Sequence, residues 1–122
     1  QVDGLGGEVW QGAYVLCRHL EFLASSSPLG SVLELGAGAG LCGLVAALLN
    51  APAVCITDEF VDLAAINAAA FASAFPEAGK RVIVAPLLWG GGSRDNGNVY
   101  DLIIGSEILS MRGTHAALLA TI

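Results

Sequence analysis

The sequence predicts an α/β chain in which helices cover a parallel sheet, and three observations predict it. Apolar residues make up 55% of the 122 positions and charged residues only 13%. That balance fits elements buried on both faces and excludes a disordered chain. Strand-like and helix-like segments alternate, the pattern of right-handed crossover units in a parallel sheet. One strand-like run, Val32-Leu33-Glu34-Leu35, enters a turn with glycine at every second position, and a helix begins at once. The length suits a single domain with one core over residues 1–122.

Residues 1–9 are glycine-rich and irregular. Over residues 11–24, Tyr14, Val15, Leu16, Leu20 and Leu23 recur at helical spacing, and Ser25, Ser26, Ser27, Pro28 and Gly30 end that helix. Residues 31–35 read as a short strand, Gly36 to Gly40 as a tight turn, and residues 41–50 as a buried helix stopped before Pro52. Residues 53–57 are a strand rich in β-branched side chains. Residues 60–74 form an Ala-rich helix ended by Pro76, and residues 81–86 a third strand. Trp89 to Asn98 is a glycine-rich loop expected to be mobile, residues 99–105 are a fourth strand, and a further helix starts at Thr114. The chain begins at Gln1 rather than Met and stops within that last helix, so it is expected to be part of a longer chain.

The formal net charge is −6, from 11 acidic and 5 basic residues. The nearest thing to a basic cluster is Lys80-Arg81, so no nucleic-acid partner is expected, because that binding needs many phosphate contacts. The acidic balance serves solubility and would also attract a basic protein surface. Cys17, Cys42 and Cys55 are odd in number and widely spaced, which gives neither a disulfide framework nor a zinc pattern. In apolar surroundings such thiols act as small hydrophobes, and a reducing intracellular compartment follows. The uncharged run from Leu35 to Thr57 is broken by glycines, Asn50 and Pro52. It lacks the roughly 20 consecutive apolar residues of a membrane helix, so no membrane partner is expected. His19 and His115 are given no catalytic role.

The glycine turn carries the strongest chemical signal. Glycines allow positive φ and remove Cβ atoms, so a ligand can approach the backbone. The helix starting near Leu41 points unpaired N–H groups at the same space. In open α/β sheets ligands bind outside the carboxyl ends of the strands. Asp58 ends the second strand and is therefore expected beside the turn, where its carboxylate can accept both hydroxyls of a ribose. Glu34 is an acid within a strand expected to be buried, and such an acid needs a partner. Turn N–H groups or a ligand ammonium would supply one.

Two cofactors compete for this site. Gly38-Ala39-Gly40-Leu41-Cys42-Gly43 also fits the dinucleotide fingerprint GxGxxG, and Asp58 lies 20 positions after Gly38. In the dinucleotide case the strand would end just before the first glycine of the fingerprint. Here Gly36 comes earlier and Glu34 precedes the whole turn. An acid there repels a pyrophosphate and suits a ligand with an ammonium end, which favours S-adenosylmethionine over NAD.

Several segments spread over the chain carry a resemblance. They are Glu8-Val9-Trp10 with Gly12-Ala13, the run Leu33 to Gly43, Thr57-Asp58 followed by Asn67, Leu88-Trp89-Gly90, and Tyr100 to Glu107. In these the sequence resembles the seven-β-strand protein-lysine methyltransferases, which modify chaperones, elongation factors and similar proteins. The resemblance implies a Rossmann-like class I methyltransferase fold whose final strands this chain lacks. It implies S-adenosylmethionine as cofactor, a protein substrate such as a chaperone or translation factor, and a cytoplasmic or nuclear setting.

By position, the resemblance places Gly36, Ala37 and Gly38 at the methionine portion of the cofactor and Asp58 at the ribose. Trp89 lies against the adenine, Trp10 closes over the cofactor, and Ser106 gives a backbone contact near the methyl group. The family carries an acid-x-x-aromatic motif after the fourth strand; here it reads Glu107-Ile108-Leu109-Ser110, with Ser110 in the aromatic's place. Glu107 is then the group that orients the incoming amine. The activity implied is methyl transfer to a protein side chain, lysine first. A cofactor-binding or interaction module without catalysis is the alternative that Ser110 raises, and an NAD-binding oxidoreductase is the alternative from the second glycine register.

Overall fold

In the computed structural model, residues 8–90, 98–109 and 112–122 are described. Residues 91–97 of the expected mobile loop lie outside them, as does Ser110, the departure from the family motif.

Helix α1 (Gln11–Ser26) leads to strand β1 (Val32–Glu34), helix α2 (Leu41–Leu48) and strand β2 (Val54–Asp58). Helix α3 (Asp62–Ala74), the short helix α4 (Pro76–Gly79) and strand β3 (Val82–Pro86) follow. After β4 (Leu102–Ile104), a single 3-10 turn (Arg112–Thr114) opens α5 (His115–Thr121). The four strands pair in parallel in the order β3-β2-β1-β4. The chain steps outward from β1 to β3 and then returns to the far side of β1. That reversal opens a crevice at the carboxyl ends of β1 and β4, the place where sheets of this kind take ligands.

One face of the sheet is covered and the other only at its centre, since Ile83 of β3 and Ile103 of β4 stay exposed on it. Val32, Val54, Ile56 and Ile104 join one core with Leu20 of α1 and Cys42, Ala46 and Ala47 of α2. Leu33, Leu35 and Cys55 join a second core with Leu118 of α5. Successive strand residues point to opposite faces, so β1 feeds both cores and all three of its residues are buried.

The element types follow the sequence, and several boundaries do not. α1 continues through Ser25 and Ser26, because Ser25 Oγ donates to Phe22 O at 2.6 Å instead of breaking the helix. Pro76 does not simply stop α3. It opens α4 at a first-turn position, where its missing N–H is not needed. Arg81 is a cap rather than the start of a strand: its guanidinium donates to Ala51 O (3.0 Å), Ala47 O (2.9 Å) and Glu77 O (3.2 Å), closing the C-terminal end of α2. β4 is shorter than the expected 99–105. Its start is pinned by Asp101, whose carboxylate accepts Ser31 N–H at 2.8 Å and Ser31 Oγ–H at 3.1 Å. No helix among the described residues is long and apolar enough to cross a membrane. The uncharged run from Leu35 to Thr57 resolves into turn, α2, connection and β2.

α2 sits close on the sheet because its contact face is small. A Cβ on Gly43 would lie 2.5 Å from Ile56 Cγ1 and 2.8 Å from Glu34 Oε1. Gly43→Ala is therefore expected to destabilise the chain by about 1–2 kcal/mol, since overpacking of about 1–3 kcal/mol outweighs the helix-propensity gain of about 1 kcal/mol. Urea unfolding of the two proteins measures this, and a more stable variant would contradict the tight contact.

Candidate functional site

The turn after β1 holds Gly36, Gly38 and Gly40 at φ values of +62°, +56° and +85°. At Gly36 the missing side chain matters as much as the φ: a Cβ there would lie 2.9 Å from Ile108 Cγ2 and 3.3 Å from Trp89 Cζ2. Ala37 N–H donates to Thr57 O and Gly40 N–H to Ala37 O, each at 2.9 Å. Asn67 of α3 donates its side-chain N–H to Ala39 O at 2.9 Å. Gly38 N–H donates to Asp58 Oδ2 at 2.7 Å. The turn and the end of β2 therefore meet at one rim of the sheet, as the strand order requires.

Asp58 Oδ1 accepts Glu59 N–H at 2.7 Å. Each carboxylate oxygen offers about two acceptor positions, so each keeps one for a ligand. Beneath the turn, Glu34 is only 2% exposed. Its Oε1 accepts Gly43 N–H from the first turn of α2 at 2.9 Å, and Thr57 Oγ–H donates to its backbone carbonyl at 2.6 Å. Burial pushes the Glu34 carboxyl from its ordinary 4.5 up to about 8; the bond from Gly43 opposes that rise, and the charge of Asp58 adds to it. Cys42 lies beside it with Sγ 3.9 Å from Cys17 Sγ and 3.5 Å from Ala13 O. All three cysteines are free and buried, and burial pushes the thiols of Cys17 and Cys42 up, away from reactivity.

A cleft of about 740 Å³ opens over this rim. Every residue singled out in the sequence lines it: Glu34, Gly36, Ala37 and Gly38 from β1 and the turn, Asp58 from β2, Trp10 and Trp89 from the segments before α1 and after β3, and Ser106 and Glu107 after β4. Trp10 is 43% exposed, so core packing does not account for it. Trp89 packs partly against the core of Leu33, Leu35, Cys55 and Leu118 and serves both wall and core. Glu107 takes a left-handed φ of +53°, and its Oε2 accepts Gly12 N–H at 2.9 Å. His19 stacks on Phe22, and His115 Nε2 pairs with Leu109 O at 2.9 Å; neither lines the cleft. No group of three or more His, Cys, Asp or Glu side chains among the described residues could hold a metal ion.

Phe60, Leu87 and Cys42 also line the cleft and were given no site role in the sequence. Phe60 had a usable signal, since it follows the rim acid by two positions. Gly12 stood out only within the resemblance, and nothing pointed to its partner Glu107, 95 positions away.

The raised Glu34 carboxyl has a consequence for stability. Its folded value lies above its unfolded one, so the folded chain binds more protons between pH 4.5 and about 8. Stability is then greatest below that window and falls as pH rises through it. In Glu34→Gln the amide oxygen still accepts the Gly43 N–H and nothing titrates. Between pH 5 and 8.5 the wild type is expected to lose more stability in urea unfolding than the variant does. Parallel pH profiles would show that Glu34 is already ionised.

The chain matches the family described as lysine methyltransferase over residues 1–122. It is 38% identical over 118 residues to the protein N-lysine methyltransferase METTL21A of Xenopus tropicalis, covering 97% of this chain and 54% of that protein. To the METTL21A protein of Mus musculus it is 37% identical over 120 residues, covering 98% of this chain and 55% of the relative. To the EEF1A lysine methyltransferase 3 of Mus musculus it is 35% identical over 119 residues, covering 98% of this chain and 50% of the relative. The chain thus spans about half the length of the curated relatives it matches. With a match along its whole length, and with the parallel sheet and glycine turn to accompany it, this chain belongs to the lysine methyltransferase family.

Proposed function

We propose that this chain forms the S-adenosylmethionine-binding part of an enzyme that methylates lysine side chains of proteins. The observation that carries the reading is the bond from Gly38 N–H to Asp58, which sets a glycine turn and a ribose-accepting carboxylate on one wall of the cleft. The cleft volume of about 740 Å³ lies within the range of small-molecule sites.

The donor set fits a ligand with a nucleoside and a cationic amino-acid end. Asp58 keeps an acceptor position on each oxygen for the two ribose hydroxyls. Glu34 already takes the Gly43 N–H of the α2 N-terminus, where a dinucleotide would set its pyrophosphate. With that N–H taken, the α2 N-terminus offers less to a diphosphate, and an acid that ionises beside a cation suits an ammonium, which speaks against the NAD alternative. Gly36, Ala37 and Gly38 give backbone contact to the amino-acid end, and Trp10 and Trp89 supply apolar walls. Ser106 contributes its backbone near the reacting end.

S-adenosylmethionine, when bound, supplies a methyl group already activated by a positively charged sulfur. The chain's own task is to align a neutral amine behind that carbon and to exclude water. A lysine amine has an ordinary pKa of about 10.4, so it must shed a proton, and desolvation in the cleft lowers that value. Glu107 is the orienting group: it accepts a hydrogen bond from the amine without having to act as a strong base.

The substrate we infer is a lysine-bearing protein. A relative named as an EEF1A lysine methyltransferase makes a translation factor the first substrate to test. A net charge of −6 attracts a basic protein surface, and three free thiols suit a reducing cytoplasmic setting.

Calorimetry with S-adenosylhomocysteine and with NAD tests the cofactor. Binding of the first and not the second is expected, and Asp58→Ala should weaken it by about tenfold to a hundredfold, the scale of lost hydrogen bonds to a charged group. Radiolabelled methyl transfer to a translation-factor preparation by the full-length protein tests the reaction, and Glu107→Gln should lower turnover with affinity for S-adenosylhomocysteine kept. Binding without transfer would favour a non-catalytic module.

A further inference from the structure

We propose that Gly12 is a positioning residue for Glu107, an inference that rests on the methyltransferase reading above. Gly12 is the second residue of α1, and its N–H holds Glu107 Oε2 at 2.9 Å. Trp10, at the start of the helix, makes no side-chain capping bond. The cap for α1 therefore comes from Glu107, across 95 positions of sequence. The contact exists only because Gly12 has no side chain. A Cβ there would lie 2.7 Å from Glu107 Cγ and 3.0 Å from its Oε2. Glu107 in turn sits at φ +53°, a conformation that residues other than glycine rarely adopt. Two unusual local features are thus kept for one contact.

The consequence lies in what the contact leaves over. One oxygen is fixed by Gly12, and Oε1 has no hydrogen-bond partner among the described residues. A carboxylate clamped at one oxygen offers the other at a defined place, which is what orientation of an incoming amine requires. The same turn of helix carries Trp10 and Ala13, both in the cleft wall. The segment that closes on the methyl donor therefore also aims the group that receives the acceptor.

The test uses the full-length protein and three variants: Gly12→Ala, Glu107→Gln and the double substitution. Alanine suits a helix first turn, and circular dichroism verifies folding. Gly12→Ala is expected to leave the affinity for S-adenosylhomocysteine within about twofold and to lower kcat by about tenfold to a hundredfold, the effect of an ångström-scale misplacement. The double variant should be no slower than Glu107→Gln alone, because Gly12 acts through Glu107. Losses that multiply, or a Gly12→Ala effect confined to melting temperature, would reduce Gly12 to a helix cap and overturn the proposal. The contact has its own readout in the Gly12 amide resonance, which should move in Glu107→Gln and move further in Glu107→Ala. A resonance indifferent to both refutes the contact alone, whereas a wild type that transfers no methyl group refutes the methyltransferase reading and the positioning role with it.

Discussion

The bond from Gly38 N–H to the Asp58 carboxylate is the constraint on which the site depends. It closes a route that the sheet prepares. Glu34 of β1 stands level with Ile56 of β2 in the parallel register. The turn leaving β1 therefore overhangs the last two residues of β2, and both residues grip it. Thr57 takes the Ala37 N–H on its carbonyl, and Asp58 takes the Gly38 N–H on its side chain. A turn with three left-handed glycines loses much backbone entropy on ordering. These bonds, with Asn67 holding Ala39 O from the other side, keep such a turn in one shape with its backbone facing the cleft.

The second constraint is the buried acid below the turn. Glu34 meets the Gly43 N–H and the Cys42 thiol, yet burial still holds it largely protonated near neutral pH. An apolar residue there would leave the buried Gly43 N–H without an acceptor; an amide would serve that donor as well, so the ionisable acid answers to something further. On the proposed reading that something is the cationic end of the ligand. A positive group entering the cleft favours the ionised form, and the proton released links ligand affinity to pH. On the α2 side the surroundings are small and uncharged: Gly43 and Ala46 let α2 approach, and burial keeps the Cys42 thiol protonated.

Much of this was legible in the sequence, for local reasons. Periodicity separates strands from helices, and the glycine turn with the acid ending the next strand fixes one rim once the sheet is parallel. Trp10 stood out because its neighbourhood is too polar and glycine-rich to be core. What the sequence hid depends on strand order and on contacts over long separations. Alternation of strands and helices gives a parallel sheet but does not say that β4 lies beside β1. The work of Arg81 on the carbonyls of Ala47 and Ala51, 34 and 30 positions away, looks like the start of a strand until α2 is placed. α4, at four residues, is too short to carry a period. The Gly12–Glu107 contact was hidden most completely, since it needs both the strand order and the left-handed turn of Glu107.

Strand order also decides how the two halves of the proposed reaction are laid out. β1 is central, with β2 on one side and β4 on the other. Asp58 stands at the end of β2, Glu107 follows β4, and the glycine turn rises between them from β1. Neighbouring strands are about 4.8 Å apart, so the β2 and β4 axes are separated by about 10 Å. On the proposed reading, a nucleoside anchored at Asp58 must extend across the turn to bring its reacting end toward β4. The acceptor then reaches the methyl group from the Glu107 side, away from the ribose. If β4 had instead joined the sheet outside β3, the same residues would sit at the same rim with Asp58 no longer flanked by the orienting carboxylate across β1. On that reading the reversal of strand order at β1 gives the donor and the acceptor separate approaches to one point, and the motifs serve that geometry only because the topology brings them there.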